Sequence, residues 1–183
     1  MGINLTKGGT VDLTKEAGGS LSKVRVGLGW DAGADLDASV VAVDASSNAV
    51  SKDWFVFYNQ LKSPGDVIVH QGDERTGETE GDDEQIVIDL AGLPAEANQL
   101  LVYVTIHDEG KTFAEVNSAY VRITDEANGN EIARYDLTHD AGPGVNALTF
   151  GALVRSGGGW VFNAIGDGAT TGIEGVVDKH KIG

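Results

Sequence analysis

The chain has 183 residues, 28 acidic against 13 basic, for a formal net charge of −15, with 26 glycines, 3 prolines and no cysteine. That charge excludes nucleic acid and anionic membrane as partners, since both are gripped by Lys and Arg. Without cysteine there is no disulfide framework, no thiolate zinc site and no cysteine nucleophile.

The segment Met1-Gly2-Ile3-Asn4-Leu5-Thr6-Lys7 lacks the long apolar stretch of a signal peptide, so the cytoplasm is the expected address. No run approaches the ~20 apolar residues of a bilayer span, so direct membrane insertion is not expected. Val24, Val26 and Leu28 alternate with Arg25, Gly27 and Gly29, the pattern of a strand with one buried face. Strands are predicted over 37–43, over the aromatic stretch 53–58 and over 67–69, the last set off by the turn sequence Ser63-Pro64-Gly65-Asp66. Residues 85–90 alternate cleanly, and the very apolar run 100–106 reads as a central strand buried on both faces. Residues 120–123 and 132–135 flank Asn128-Gly129, a hairpin signal. A second hairpin joins 147–155 to 160–164 through Ser156-Gly157-Gly158-Gly159. Helix is scarce: single turns at 94–98 and 113–116, and a short C-terminal helix over 172–180. Short strands with glycine-rich turns predict an all-β fold, two antiparallel sheets packed as a sandwich, with 1–183 as one domain.

Two segments concentrate the charge. Asp31-Ala32-Gly33-Ala34-Asp35-Leu36-Asp37 and the stretch 73–84 together hold 10 carboxylates in 19 residues, with Arg75 as their one cation. Two carboxylates ~5 Å apart at an effective dielectric of ~20 repel by about 3 kcal/mol. Such loops either stay extended in water or are drawn together by a cation. Glycines 33, 77 and 81 let the backbone turn tightly enough for oxygens to converge. The available donors are hard oxygens: carboxylates, carbonyls, the Thr76 hydroxyl and Asn59. Calcium takes six to eight of these in flexible geometry, whereas magnesium demands an octahedron and keeps its waters. Ten carboxylates exceed what one ion needs, so two calcium ions sharing ligands are expected. An EF-hand is excluded, because counting from Asp31 puts Leu36 where glycine is required and Ala42 where glutamate is required. From chemistry alone, a solvated acidic loop without a tight ligand remains an equal alternative.

Several motifs in order resemble the TerD family of bacterial tellurium-resistance and stress-response proteins. They are Gly2 to Gly9, Gly27-Leu28-Gly29-Trp30-Asp31, Asp35-Leu36-Asp37-Ala38-Ser39, Phe57-Tyr58-Asn59-Gln60, Gly72-Asp73 through Gly81-Asp82-Asp83-Glu84, Thr105-Ile106-His107-Asp108 and Glu131 to Leu137. The resemblance implies a β-sandwich that binds calcium through its acidic loops and has roles in resistance to tellurite and other chemical stress; a non-enzymatic module working with other proteins of such a system is the expected function. By position it implies Asp31, Asp35 and Asp37 as ligands, with Asp73, Glu78, Glu80, Asp82, Asp83 and Glu84. Asn59 joins them, as do Leu36 and Gln60 through backbone carbonyls.

Other signals weigh less. Gly27 to Ala32 and Gly142 to Ala147 match the dinucleotide spacing but read as turns, since neither opens a helix. His107-Asp108 could be half of a catalytic pair, although a strand-end histidine is the plainer reading. A metal-assisted hydrolase using the same carboxylates is the enzymatic alternative. A calcium-dependent carbohydrate-binding sandwich would need an exposed aromatic beside the ion, with Trp30 the candidate.

Overall fold

The computed structural model describes residues 2–31, 33–72, 81–137 and 141–183. These form two six-stranded sheets. The first runs, in spatial order, β1 (Ile3–Leu5), β10 (Glu131–Leu137), β9 (Ala119–Asp125), β3 (Lys23–Trp30), β7 (Glu84–Asp89) and β6 (Ile68–His70). The second runs β2 (Thr10–Asp12), β12 (Gly159–Ala169), β11 (Ala147–Ser156), β8 (Gln99–Ile106), β4 (Leu36–Val43) and β5 (Phe55–Val56). The pairings are antiparallel except that of β1, which lies parallel to β10. Two helices complete the fold, α1 (Leu13–Glu16) and α2 (Gly172–Lys179). Among the described residues no helix is long and apolar enough to cross a membrane.

Period-two alternation builds the core. Val24, Val26, Leu28 and Trp30 of β3, Ile86 and Ile88 of β7, and Val121 and Ile123 of β9 point inward. They meet Leu36, Ala38, Val40 and Ala42 of β4 and Leu100, Val102 and Val104 of β8. As expected, β8 is buried on both faces. Its Leu101 and Tyr103 join a second apolar cluster outside the second sheet, with Val41, Val43, Phe55 and Val176 of α2.

The structure corrects several local expectations. The aromatic stretch is mostly not strand: Lys52–Trp54 form a 3-10 turn capped by the Ser51 hydroxyl, and only Phe55 and Val56 pair with β4. Phe57 and Gln60 exchange backbone hydrogen bonds of 3.0 Å and close a tight turn. Residues 94–98 make a hydrogen-bonded turn, Ala97 N–H to the Pro94 carbonyl, while the helical turn lies earlier at Leu90–Gly92, capped by Asp89. Gly27 and Gly29 are strand residues rather than turn residues. Phe113–Glu115 and Gly172–Lys179 are helical as expected.

The C-terminal helix is anchored by Val176 in the second apolar cluster and, just past its end, by the buried His180. The His180 ring lies with Nε2 2.6 Å from the Tyr103 hydroxyl and Nδ1 2.6 Å from the Ser47 carbonyl. A carbonyl only accepts, so Nδ1 carries the proton and Nε2 accepts from the tyrosine. Burial lowers the His180 pKa from its ordinary 6.5, outweighing the opposing hydrogen bond to Ser47. The neutral ring is therefore the folded form, and its stabilisation is complete above pH ~6.5. As pH falls from there through the folded value, the unfolded chain takes up the proton first and stability drops. Thermal melts from pH 7.5 down to 5 should show Tm declining, by roughly 2–4 °C for each kcal/mol lost. His180→Gln should flatten this component, and an unchanged slope in that variant would assign it elsewhere.

Candidate metal centre

Strand pairing brings the acidic segments to one corner. In the first sheet Leu28 of β3 lies opposite Glu84 of β7, so the end of β3 and the start of β7 coincide. In the second, Leu36 of β4 lies opposite Ile106 of β8, so Asp35 and His107 meet just beyond the ladder. The two ends are joined across the sandwich. The Glu84 carboxylate, fully buried on the inner face, accepts a 2.6 Å hydrogen bond from the Ala38 N–H of β4. The Asp83 carboxylate accepts from the Trp30 N–H at 2.8 Å, and the Trp30 indole donates to the Ala34 carbonyl at 3.0 Å.

Four further acids surround this junction. Asp31 accepts from the Asn117 amide, and its N–H bonds the Ser118 carbonyl. Asp35 donates its N–H to the Asp108 carboxylate at 3.0 Å, and its carbonyl accepts from the His107 N–H. Asp37, buried on the outer face of β4, lies 3.3 Å from Nδ1 of His107. The His107 ring meets Tyr58 edge-on at 5.1 Å, which brings the 57–60 turn to the same corner. The Lys111 ammonium and the Asp35 N–H hold the Asp108 carboxyl below the usual carboxylate range. His107 thus pairs with Asp37, not with its sequence neighbour Asp108. Asn117 and Asp108 were absent from the expected site. Only the fold reveals them, since both lie on the connection that leaves β8 in one sheet and enters β9 in the other.

The backbone of β4 adds an oxygen. In an antiparallel ladder alternate residues aim their N–H and C=O to opposite sides. Asp35 bonds toward β8, and Ala38 bonds toward Glu84. The Leu36 carbonyl therefore faces the Glu84 side. Gln60 is otherwise engaged: its side-chain amide donates to the Lys52 and Phe55 carbonyls, and its own carbonyl accepts from Phe57. Asn59 is exposed at the tip of that turn.

Asp82 faces away from this junction, across the outside of the first sheet. Its carboxylate is 1 % exposed and takes Nε of Arg122 at 2.7 Å and the second guanidinium nitrogen at 3.0 Å. The Tyr120 hydroxyl and the Gln85 amide donate to it as well. Gly27 makes this possible, because a Cβ there would collide with the Asp82 carboxylate, as one at Gly29 would with the Tyr120 ring. Burial, reinforced by Asp82, pushes the Tyr120 hydroxyl up to about 12. Asp82 is thus bound to a cation the protein itself supplies.

Asp73, Glu78 and Glu80 lie outside the described residues, as does Thr76. Among the described residues no three His, Asp or Glu side chains are gathered as a ready metal cage. Trp30, 6 % exposed, belongs to the core and offers no stacking platform for a sugar.

A family model described as the TerD domain matches residues 1–180. General stress protein 16U of Bacillus subtilis is 43% identical over 100% of this chain and 98% of its own length. Tellurium resistance protein TerD of Serratia marcescens is 40% identical over the same shares. The fold is similar to the crystal structure of a homologue of telluride resistance protein from Streptomyces coelicolor, with a TM-score of 0.66 and 24% identity over 82% of this chain and 91% of that one.

Replacing Asp82 should damage the fold rather than the ion site. Breaking a fully buried ion pair costs about 3–5 kcal/mol, and roughly 2–3 is expected where the cation is partly solvated, as Arg122 is at 32 %. Urea unfolding of Asp82→Ala in excess chelator should show that loss. A midpoint equal to that of the native chain would mean the Arg122 pair contributes nothing.

Proposed function

The chain belongs to the TerD family, and from that membership and its acidic corner we propose that it is a calcium-binding, non-enzymatic module of a bacterial tellurium-resistance and stress-response system. The observation that carries the proposal is the junction itself. Glu84 and Asp83 at the start of β7 are bonded to backbone N–H groups of β4 and β3, beside Asp31, Asp35 and Asp37. Carboxylates fixed to rigid strands cannot relax apart as they would on a free loop, so their repulsion persists until a cation arrives.

The donor set suits calcium. Every candidate is a carboxylate or carbonyl oxygen, and calcium accepts the irregular geometry that separate strands present. A carboxylate has about four lone-pair sites, so one accepted N–H bond leaves capacity for a metal. Asp31, Asp35, Asp83 and the Leu36 carbonyl are the described residues that we assign to the ions, with Asp37 and Glu84 beside them. Asp73, Glu78 and Glu80 would complete the shell from the adjoining acidic segment. Two ions accommodate this many charges. Asp82 is left out of the set because Arg122 occupies both of its oxygens. The relatives' names place them in tellurium resistance and general stress, and none names a reaction. That supports a binding role, exercised through other proteins of the same system.

Calorimetric titration of metal-stripped protein with calcium should give saturable binding of two ions per chain. Millimolar magnesium should not displace them. At free calcium 100-fold above its dissociation constant, linkage raises stability by about 2.7 kcal/mol per site. Asp35→Asn with Asp83→Asn keeps the hydrogen-bond acceptors, removes two charges and should weaken binding at least tenfold. Absence of calcium heat in the native chain, together with melts identical in calcium and in chelator, would refute the proposal.

A further inference from the structure

His70 is, among the described residues, the one buried imidazole at the acidic corner, and the calcium ligands proposed above do not include it. It ends β6, on the first sheet, with its side chain 0% exposed. Its Nδ1 accepts a 3.1 Å hydrogen bond from the Gly72 N–H. An N–H only donates, so Nδ1 is bare and the ring proton sits on Nε2. Nε2 lies 3.4 Å from Oε2 of Glu84, whose side chain is likewise 0% exposed. That nitrogen makes no hydrogen bond among the described residues, so its approach to Glu84 is a close polar contact inside the sealed core. The same Oε2 receives the Ala38 N–H at 2.6 Å. Three strands from two sheets, β6, β7 and β4, therefore meet at one oxygen.

This arrangement has a mechanical consequence. β5 pairs with β4 at Val40 and Val41, so among the described residues no neighbouring strand holds the first residues of β4 on that side. The Glu84 carboxylate supplies the missing acceptor for Ala38. A long carboxylate has several rotamers, and the one adopted by Glu84 reaches across the sandwich. The imidazole, fixed from behind by the Gly72 N–H, packs 3.4 Å from it on the side away from solvent.

We propose that His70 is a positioning residue of the calcium centre: its buried imidazole holds Glu84 against the Ala38 N–H and so fixes where Asp35, Leu36 and Asp37 present their oxygens. The inference rests on the calcium reading above and extends it to a residue that touches no ion. The relation is that of an outer-shell group to a metal ligand, where substitution costs roughly 10- to 100-fold in affinity.

The test uses the full chain, with calcium as the probe. His70→Phe removes both ring nitrogens, and His70→Gln restores an acceptor for Gly72 and a donor for Glu84. Ile68→Val, on the same strand, thins the core without touching the contact. In calcium-free protein the Ala38 amide proton should resonate far downfield, as expected for a short bond to a carboxylate. It should move upfield in His70→Phe and return in His70→Gln. Calcium affinity should fall at least tenfold in His70→Phe, recover in His70→Gln and stay unchanged in Ile68→Val. If His70→Phe folds poorly, His70→Asn, too short to reach both partners, replaces it. An unmoved Ala38 amide and native affinity in the variant lacking the contact would overturn the role of His70 while leaving calcium binding intact. Failure of the native chain to bind calcium would instead overturn the functional reading, and the Ala38 amide would still decide whether the clamp exists.

Discussion

A carboxylate sealed between two sheets must be given donors, and the rest of the acidic corner depends on how Glu84 obtains them. It sits at the start of β7 on the inner face, where alternation would otherwise put an aliphatic residue, as it does at Ile86 and Ile88. Leaving it bare would cost several kcal/mol. Its Oε2 is bonded across the sandwich by the Ala38 N–H of β4, with the His70 ring 3.4 Å behind it. The cost of burying this charge is thereby turned into a fixed distance between the two sheets at one end. Asp83, the neighbouring residue, repeats the pattern on a smaller scale by bonding the last N–H of β3.

Charge neutralisation also divides the acids by task. On the outer face of the first sheet, Arg25 pairs with Glu126, Arg122 with Asp82 and Glu131, and Arg134 with Asp136 while stacking 3.7 Å over Tyr120. Arg122 reaches across β3 to Asp82 and sideways to Glu131 of β10, while Arg134 and Asp136 pair within β10, and the bare backbone of Gly27 and Gly29 gives Asp82 and Tyr120 room to lie flat. At the other corner, Asp83 and Glu84 at the start of β7 draw instead on backbone N–H groups, Asp31 on Asn117 and Asp37 on His107. Backbone N–H groups orient a carboxylate without cancelling its full charge, which is the state a metal site requires before its ion arrives.

Much of the sandwich was legible because its long strands are strongly patterned. Val24 to Trp30, Ile86 to Ile88 and Leu100 to Ile106 fix their own faces, and Asn128-Gly129 and Gly157-Gly158 fix two hairpins. The strands β1 and β2, three residues each, carry too few positions for a period, and they exist only because β10 and β12 offer edges to pair with. The aromatic stretch misled for a related reason. Trp54, Phe55 and Phe57 have strand propensity, but Ser51 caps a 3-10 turn and Gln60 closes the chain back on Phe57. Within the site, sequence could mark the acidic segments but not sort them. Asp82, Asp83 and Glu84 are consecutive, yet one lies on an outer face under Arg122, one caps β3 and one crosses the core. That sorting depends on Arg122, Trp30 and Ala38, which are 40 to 53 residues away from their partners along the chain.

The central claim is that calcium settles at the corner where β3 and β7 meet β4, and nitrogen–proton correlation spectra during a calcium titration test it most directly. The amides of Asp31, Asp35, Leu36, Asp37 and Asp83 should shift in step with occupancy. Those around Ser47 and His180 should stay still, at the far end of β4 roughly 23 Å away at ~3.3 Å per residue. Spectra without shifts, or shifts centred on the far end, would contradict the account.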